Sequence, residues 1–240
     1  MSPLKIDTWK KSQTIEAEYW KELETQGVII EKWTDIRYKK VASLSQKTIG
    51  NSSVIVDVGS GPYGIIHHYI KKGRLKVSLD PLTINNPKKE DSIKSIAECL
   101  PLKQNAVDTL FCVNALDHCH NPTKSLAEMK RTLKHNGTLV LMVHIIEFKK
   151  KLLHSILSKT KIRKIFHAKK IRYGLSQFEE AVLGGFDVLE DSKAHPFYFL
   201  PKDVIQLLKN AGFNIRIMEI KLSKMYKNEL FIVAKPYEQP

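Results

Sequence analysis

The stretch Val54-Ile-Val-Asp-Val-Gly-Ser-Gly-Pro-Tyr-Gly64 decides the fold of this chain. It begins as a β-branched apolar run, which is typical of a buried strand, and it breaks into glycines where a helix is expected to begin. Glycines allow a sharp turn and let a ligand approach the backbone closely. Free N–H groups at the start of the next helix, about 63–71, suit a polar or anionic ligand end. The stretch therefore predicts a strand, a ligand-binding loop and a helix.

A second predicted strand follows about twenty residues later and ends in an acid, Lys76-Val-Ser-Leu-Asp80. A carboxylate at this position can accept both hydroxyl hydrogens of a ribose. The spacing therefore indicates a nucleoside-containing cofactor. The pattern Gly59-x-Gly61-x-x-Gly64 is shared by dinucleotide-binding folds and by methyltransferases, so it does not choose between them.

Length and composition favour a globular α/β protein. The 240 residues fit one α/β domain with added elements, and the 42% hydrophobic content supports a full core. The N-terminus lacks the apolar core of a signal peptide, and the longest apolar stretch, 138–146, is about half the length of a membrane-spanning helix. The odd number of cysteines (Cys99, Cys112 and Cys119) forms no disulfide framework. We therefore expect a cytoplasmic protein.

The formal net charge of +14 is concentrated in residues 147–172, which hold ten Lys or Arg against one acid. Apolar residues recur there at helical spacing, with basic residues on the other face. Such a helix can lie on an anionic membrane surface, which suggests a lipid-linked substrate and a peripheral location. It can also bind a phosphorylated acceptor or RNA backbone, or form a lid with solvated charges.

Strands and helices alternate after residue 50, which predicts a mostly parallel sheet with helices on both faces. The first fifty residues read as a helical cap, in which Trp9 and Trp20 lie three helical turns apart on one side. We expect the helix at 122–134 to begin at Pro122 after the cap Asn121 and to end at Lys134-His-Asn-Gly137. The other predicted elements are strands at 53–58, 75–80, 93–96, 107–113, 138–146, about 213–220 and 229–235, and a helix from Leu200 to Gly212.

The ordered motifs resemble those of class I S-adenosylmethionine-dependent methyltransferases, in particular the ubiquinone and menaquinone methyltransferases. The resemblance covers about 51–146 and 196–236. It is carried by Val56-Asp-Val-Gly-Ser-Gly61, Asp80, Ala97-Glu-Cys-Leu-Pro-Leu102, the span from Val107-Asp108 to Leu133-Lys-His-Asn-Gly-Thr-Leu139, Leu207-Leu-Lys-Asn-Ala-Gly-Phe213 and Leu230-Phe-Ile-Val-Ala-Lys235. It implies a Rossmann-like seven-stranded sheet, mostly parallel with an antiparallel last strand. The domain at 51–240 would carry a basic helical insertion at about 147–195, after a helical cap at 1–50.

The resemblance also implies roles for individual residues toward S-adenosylmethionine. The loop after the first strand would hold the amino-acid end, and Asp80 would bind the ribose. The residues that the family pattern assigns to the cofactor are Asp57, Gly59, Ser60, Gly61, Asp80, Leu82, Ala97, Glu98, Asn114 and Ala115. Leu82 would cover one adenine face, Ala97 and Glu98 would contact adenine, with Glu98 acting mainly through its backbone, and Asn114 and Ala115 would lie beside the methionine portion. The chain departs from the pattern at Pro62, where many members have glycine, and at Ile96, where many have an aspartate.

Methyl transfer needs alignment and exclusion of water, and it needs a base only when the acceptor carries a proton. Candidate bases are Asp117 and His118, after the fourth strand, and His195, in an aromatic loop. His118 could equally pack structurally. We expect no metal site, because adjacent residues in the run His118-Cys119-His120 point apart and no second ligand pair at zinc spacing exists.

Three functions compete. The first is methyl transfer to a small-molecule, glycan or lipid-linked acceptor, and the pattern Trp9…Glu16…Trp20 resembles members linked to surface-sugar biosynthesis. The second is RNA methylation, which the charge favours although the chain has no recognisable RNA-binding module and has Asn114-Ala-Leu-Asp117 after the fourth strand. The third is a non-catalytic or dinucleotide-dependent nucleotide-binding protein. The sequence specifies neither the acceptor nor the oligomeric state.

Overall fold

The computed structural model describes residues 3–25, 38–39, 41–45, 49, 53–61, 69–70, 75–82, 92–145, 196–197, 199–221 and 228–237. The helices with described bounds are α1 (Ile6–Thr25), α2 (Pro122–Thr132) and α3 (Pro201–Asn210), with a 3₁₀ turn at Leu116–His118. Residues 38–39, 41–45, 49 and 69 are also helical. The strands are β1 (Val54–Val58), β2 (Leu75–Asp80), β3 (Ser92–Lys94), β4 (Val107–Val113), β5 (Leu133–Ile145), β6 (Phe213–Lys221) and β7 (Asn228–Pro236). None of the described helices has the length and hydropathy of a membrane span.

The seven strands form one sheet in the order β3-β2-β1-β4-β5-β7-β6. Strands β1 to β5 pair in parallel, and β7 runs antiparallel to both β5 and β6. This confirms the predicted mostly parallel sheet with an antiparallel last strand. The strand order reverses between β1 and β4, and ligands of open α/β sheets bind at the carboxyl ends of the strands at such a point.

The sheet has a hydrophobic core on each face. Neighbouring residues in β1 and β4 belong to opposite cores because strand side chains alternate between faces. Val56 and Leu110 lie in the core that includes buried residues of α2 and α3, whereas Ile55 and Phe111 lie with the helical residues Val41 and Ala42 in the other. Helical residues therefore cover both faces, as the alternation predicts.

The end of α2 corrects one prediction. Its start is as expected, because Asn121 Oδ1 accepts a hydrogen bond from Lys124 N at 3.1 Å. The helix nevertheless ends at Thr132, and Leu133 has extended backbone and pairs with Val107 at the start of β5. Gly137 is thus not a helix cap. A Cβ there would lie 2.9 Å from Lys134 O, so glycine permits a close backbone approach instead.

At the amino end of the sheet, Asp108 ties three segments together. Its carboxylate accepts hydrogen bonds from Ser53 N at 3.1 Å, from Val54 N at 2.9 Å and from Lys134 Nζ at 2.7 Å. Burial would raise the pKa of Asp108, but these hydrogen bonds outweigh it and lower the pKa below its ordinary value. The tie therefore stabilises the fold at neutral pH and is lost as the pH falls through the lowered pKa.

The last elements follow the prediction closely, and Gly212 after α3 has the positive φ of 78° that favours glycine. Other predictions lie outside the described residues. They include most of the helix at 63–71, the insertion at 147–195 with its basic segment, and most of the predicted helical stretch between residues 26 and 50.

Candidate functional site

The loop after β1 requires glycine for two reasons. Gly59 and Gly61 have φ values of 71° and 65°, a region that L side chains rarely adopt. In addition, a Cβ on Gly59 would overlap the Cβ of Ala115. The loop is held over β2, because Gly59 N donates to Leu79 O at 2.7 Å. Beyond the sequence prediction, the structure thus shows a specific contact between the loops that follow β1 and β4.

Asp80, the last residue of β2, holds the glycine loop. Its Oδ2 accepts a hydrogen bond from Gly61 N at 2.8 Å, and its Oδ1 accepts one from Leu82 N at 2.7 Å. The side chain is only 6% exposed. A carboxylate oxygen has two lone pairs, so one that accepts from a backbone N–H can also accept from a ribose hydroxyl. Asp80 therefore brings the predicted residues Gly61 and Leu82 together at the end of β2.

Ala97 and Glu98 lie in the loop after β3, whose start is tied to β2 by a hydrogen bond from Ser95 N to Asp80 O at 3.2 Å. Glu98 is buried, and its Oε1 accepts from Asn121 N at 2.8 Å, ahead of α2. Its carboxylate thus fastens the loop to α2. This arrangement fits the expectation that Glu98 presents its backbone to a ligand. Ile96, at the departure from the family pattern, is 37% exposed.

An ion pair on α2 supports the same loop, and the sequence analysis assigned it no role. Glu128 accepts a hydrogen bond from Leu100 N at 3.0 Å, and Arg131 donates to Leu100 O at 3.1 Å and to Leu102 O at 2.9 Å. The hydrogen bond from Arg131 lowers the pKa of Glu128 despite partial burial. The sequence signal that could have predicted this pair is the presence of opposite charges three residues apart on a predicted helix.

Asn114, just after β4, has a positive φ of 53°, which is uncommon outside glycine. Its N–H donates to Met142 O at 2.8 Å, but its buried Oδ1 has no hydrogen-bond partner among the described residues. Leaving a buried acceptor unsatisfied costs about 1–3 kcal/mol. A donor from a bound ligand, such as an ammonium group, would satisfy it. Asn114 and its neighbour Ala115 thus fit the predicted position beside the methionine portion of the cofactor.

Asp57 is 2% exposed in β1, and Ser60 is buried in the loop that follows. Asp117 is 1% exposed in the 3₁₀ turn after β4. With Asp80 and Glu98, four buried carboxyl groups lie at or after the carboxyl ends of neighbouring strands. Within the described part of the chain, no lysine or arginine is buried. Charge at this edge therefore differs from the basic character of the whole protein.

His118 lies between two carboxyl groups. Its Nε2 is 3.9 Å from Asp117 Oδ2, and its Nδ1 is 3.8 Å from Glu16 Oε2 of α1. His118 and Asp117 were predicted together as candidate bases, whereas the contact with Glu16 was not predicted. His195, the third candidate base, lies outside the described residues.

The cysteines near His118 are not activated. Burial raises the pKa of both the Cys112 and Cys119 thiols, so they stay protonated and are poor metal ligands. The described residues contain no group of three or more His, Cys, Asp or Glu side chains arranged to hold a metal ion.

Helix α1 packs against the same edge through both tryptophans, on one side as their spacing predicts. Trp9 Nε1 donates to His118 O at 3.0 Å, and Gln13 Nε2 donates to the same oxygen at 3.3 Å. Two turns after Gln13, the Trp20 ring lies 3.5 Å from the position that a Cβ on Gly61 would take. The helix therefore contacts the loops after both β1 and β4.

Comparison with known proteins gives this edge a chemical context. Residues 56–141, from the glycine loop to β5, match the family model described as a methyltransferase domain. An uncharacterized protein of Methanocaldococcus jannaschii is 27% identical over 187 residues, which cover 73% of this chain and 74% of that one.

The fold is shared with solved methyltransferases. The 1,6-didemethyltoxoflavin-N1-methyltransferase of Burkholderia thailandensis, solved with S-adenosylhomocysteine, has a TM-score of 0.64 and 12% identity, covering 99% of this chain and 93% of that chain. Magnesium protoporphyrin IX methyltransferase of Synechocystis, also with bound S-adenosylhomocysteine, has a TM-score of 0.56 and 12% identity, covering 84% and 82%. Residues 56–141 thus match a methyltransferase domain, and the described sheet has the fold of solved S-adenosylmethionine-dependent methyltransferases.

Proposed function

We propose that the protein transfers a methyl group from S-adenosylmethionine to a small-molecule, glycan or lipid-linked acceptor. The observation that carries the site assignment is the set of four buried carboxyl groups at the carboxyl edge of the sheet, Asp57, Asp80, Glu98 and Asp117. Such an edge attracts a cationic sulfonium and repels a pyrophosphate. A site for the phosphate backbone of RNA would need basic groups at this edge.

Each part of the cofactor would meet a separate group of residues. Asp57, Gly59, Ser60 and Gly61 would hold the amino-acid end, with Asn114 Oδ1 accepting from its ammonium group. Asp80 would accept from the ribose hydroxyls. Leu82, Ala97 and the backbone of Glu98 would enclose the adenine, and Ala115 would lie beside the methionine portion.

The bound cofactor supplies an activated methyl group. The protein would then align the acceptor atom with that methyl carbon and exclude water. The acceptor atom would form a new bond to the methyl carbon as the carbon–sulfur bond breaks. The electron pair of the broken bond would stay on sulfur. When the acceptor is protonated, His118 would take the proton, with Asp117 beside it and His195 as the second candidate base.

Calorimetric titration tests the cofactor site. We expect S-adenosylmethionine to bind more tightly than S-adenosylhomocysteine, because the buried carboxyl groups attract its sulfonium, and NAD not to bind measurably, because they repel its pyrophosphate. S-Adenosylhomocysteine is the product without the sulfonium charge and serves as the control for that charge. Tight binding of NAD with no binding of S-adenosylmethionine would contradict the assignment.

The acceptor class rests on similarity. Two proteins with this fold are named for small-molecule acceptors, 1,6-didemethyltoxoflavin and magnesium protoporphyrin IX. A transfer assay with methyl-labelled cofactor against separate pools of lipids, glycans, small metabolites and RNA would identify the acceptor class. Label in RNA alone would overturn the proposal in favour of RNA methylation.

We further propose that residues 1–50 form a cap on the methyltransferase domain and that residues 147–172 contact an anionic membrane surface from the cytoplasmic side. Each basic residue near a charged bilayer contributes about 1 kcal/mol, an attraction that weakens as salt increases. Changing six basic residues to glutamine should therefore abolish binding to vesicles containing anionic lipid and leave S-adenosylmethionine affinity intact. The six are Lys149, Lys150, Lys151, Lys161, Arg163 and Lys164.

A matched control removes the same charge elsewhere. It changes six exposed lysines outside the segment to glutamine, namely Lys10, Lys11, Lys21, Lys103, Lys202 and Lys209. We expect this variant to keep most of its vesicle binding in a sedimentation assay. Equal losses of vesicle binding in both variants would show that net charge alone, and not residues 147–172 in particular, causes the binding. If the unchanged protein bound RNA but not vesicles, the partner would be a nucleic acid and not a membrane.

A further inference from the structure

We propose that Glu16 is a positioning residue for His118, which makes α1 part of the active site. The inference rests on the proposed role of His118 as the base for a protonated acceptor. It adds a residue from the N-terminal helix, distant in sequence from the glycine loop and from the turn after β4.

Four side chains of α1 form one stripe toward the site. Trp9, Gln13, Glu16 and Trp20 are separated by four, three and four residues, so they lie on the same face of the helix. Three of them meet His118, and the fourth, Trp20, lies against Gly61. The helix thus contacts the proposed base and the cofactor loop through a single face.

The backbone of His118 is fixed by this stripe. Its carbonyl oxygen accepts hydrogen bonds from Trp9 Nε1 at 3.0 Å and from Gln13 Nε2 at 3.3 Å. The adjoining residues are also held, since Leu4 N donates to His120 O at 3.1 Å and the Trp9 ring packs edge-on against the His120 ring. The position of the imidazole relative to α1 is therefore set before any side-chain contact is considered.

The carboxylate of Glu16 is itself oriented. Its Oε1 accepts a hydrogen bond from Trp20 Nε1 at 2.9 Å, one helical turn further on. Its Oε2 then faces His118 Nδ1 at 3.8 Å, with both side chains largely buried, at 15% exposed for His118 and 19% for Glu16. This separation exceeds a hydrogen bond, but hydrogen bonds in catalytic sites without substrate are often long and tighten in the complex.

A carboxylate at one ring nitrogen orients a histidine and selects which nitrogen carries hydrogen. Glu16 at Nδ1 would keep the hydrogen there and leave Nε2 to take the acceptor proton. The charge that the ring gains in this step lies beside Glu16, which stabilises it. Asp117, at 3.9 Å from Nε2, is the adjacent residue in the chain and lies on the side where the proton arrives.

Glu16→Gln tests the proposal with little change in shape. The glutamine oxygen can still accept from Trp20, so α1 should stay docked, but the negative charge beside Nδ1 is gone. Glu18→Gln is the matched control, because Glu18 is an exposed residue of α1 and the same charge is lost. Thermal unfolding and S-adenosylhomocysteine affinity should be unchanged in both variants.

Nitrogen NMR of the His118 ring gives a readout that needs no acceptor. We expect the Nδ1 and Nε2 resonances of the S-adenosylhomocysteine complex to shift toward the form with hydrogen on Nε2 in Glu16→Gln, because the glutamine amide that keeps its oxygen on Trp20 turns an N–H toward Nδ1, and to stay in place in Glu18→Gln. Unmoved His118 resonances in Glu16→Gln would overturn the proposal.

Turnover of the acceptor found in the transfer assay separates this inference from the proposed function. We expect Glu16→Gln to lower kcat by at least about tenfold at unchanged KM, part of the 10²–10⁴-fold that a positioned base contributes. The double variant with His118→Ala should be no slower than His118→Ala alone. Full activity of His118→Ala would show that His118 is not the base. If kcat fell in His118→Ala but not in Glu16→Gln, His118 would remain the base and the proposed role of Glu16 would be wrong.

Discussion

Asp80→Ala is expected to weaken S-adenosylmethionine binding by roughly 1.5–3 kcal/mol, or about 10- to 150-fold in Kd. The variant loses the acceptors for the ribose hydroxyls. It also releases Gly61 N and Leu82 N, which the carboxylate holds at 2.8 and 2.7 Å. Folding should survive, because Asp80 ends a strand. Titration calorimetry measures the change, and unchanged affinity would remove Asp80 from the site.

The two roles of Asp80 can be separated with an analogue of S-adenosylhomocysteine that lacks both ribose hydroxyls. If the carboxylate only binds ribose, Asp80→Ala should not weaken binding of this analogue. If it also holds the glycine loop, Asp80→Ala should still weaken binding of the deoxy ligand by a clear additional factor. Glu18→Gln, a change at an exposed carboxylate of α1, serves as the control for general loss of negative charge.

Gly59→Val should abolish measurable cofactor binding. The sequence attributes this to direct obstruction of the ligand, whereas the structure identifies an earlier conflict inside the protein. Gly59 has a φ of 71°, and its added Cβ would overlap the Cβ of Ala115. A β-branched residue in this conformation is strained by about 1–3 kcal/mol, so the loop must move and separate Gly61 from Asp80. Some loss of stability should accompany the loss of binding.

Two variants isolate the cause. Gly61→Ala has similar backbone strain, but among the described residues its Cβ would meet only the Trp20 ring, at an ordinary 3.5 Å, so its effect should be milder. Gly59→Ala should bind poorly, and adding Ala115→Gly should restore part of the affinity because the overlapping Cβ is removed. Calorimetry and thermal unfolding give both quantities. A folded Gly59→Val protein with normal cofactor affinity would disprove the assignment of the glycine loop.

Local sequence predicted the elements whose signals are local. The β4 bounds of Val107–Val113 match the prediction, and the start of α2 follows from Asn121 and the proline after it. The predicted end of α2 was wrong, because pairing with a strand distant in sequence decides where the helix ends. Leu133 is 1% exposed and pairs with Val107, which outweighs the helical tendency of the residues that follow.

The sequence by itself determined the fold class and picked out the glycine loop and Asp80, because glycines at a strand end and an acid at the end of β2 follow one another along a short stretch of chain. The other candidate cofactor residues were implied by the resemblance to a known family. Only the tertiary structure decided what their side chains do. Glu98 binds the backbone ahead of α2, and Trp9 reaches His118, which lies 109 residues away. Such contacts depend on how helices dock onto the sheet, and docking is set by burial of whole faces rather than by the spacing of neighbouring residues.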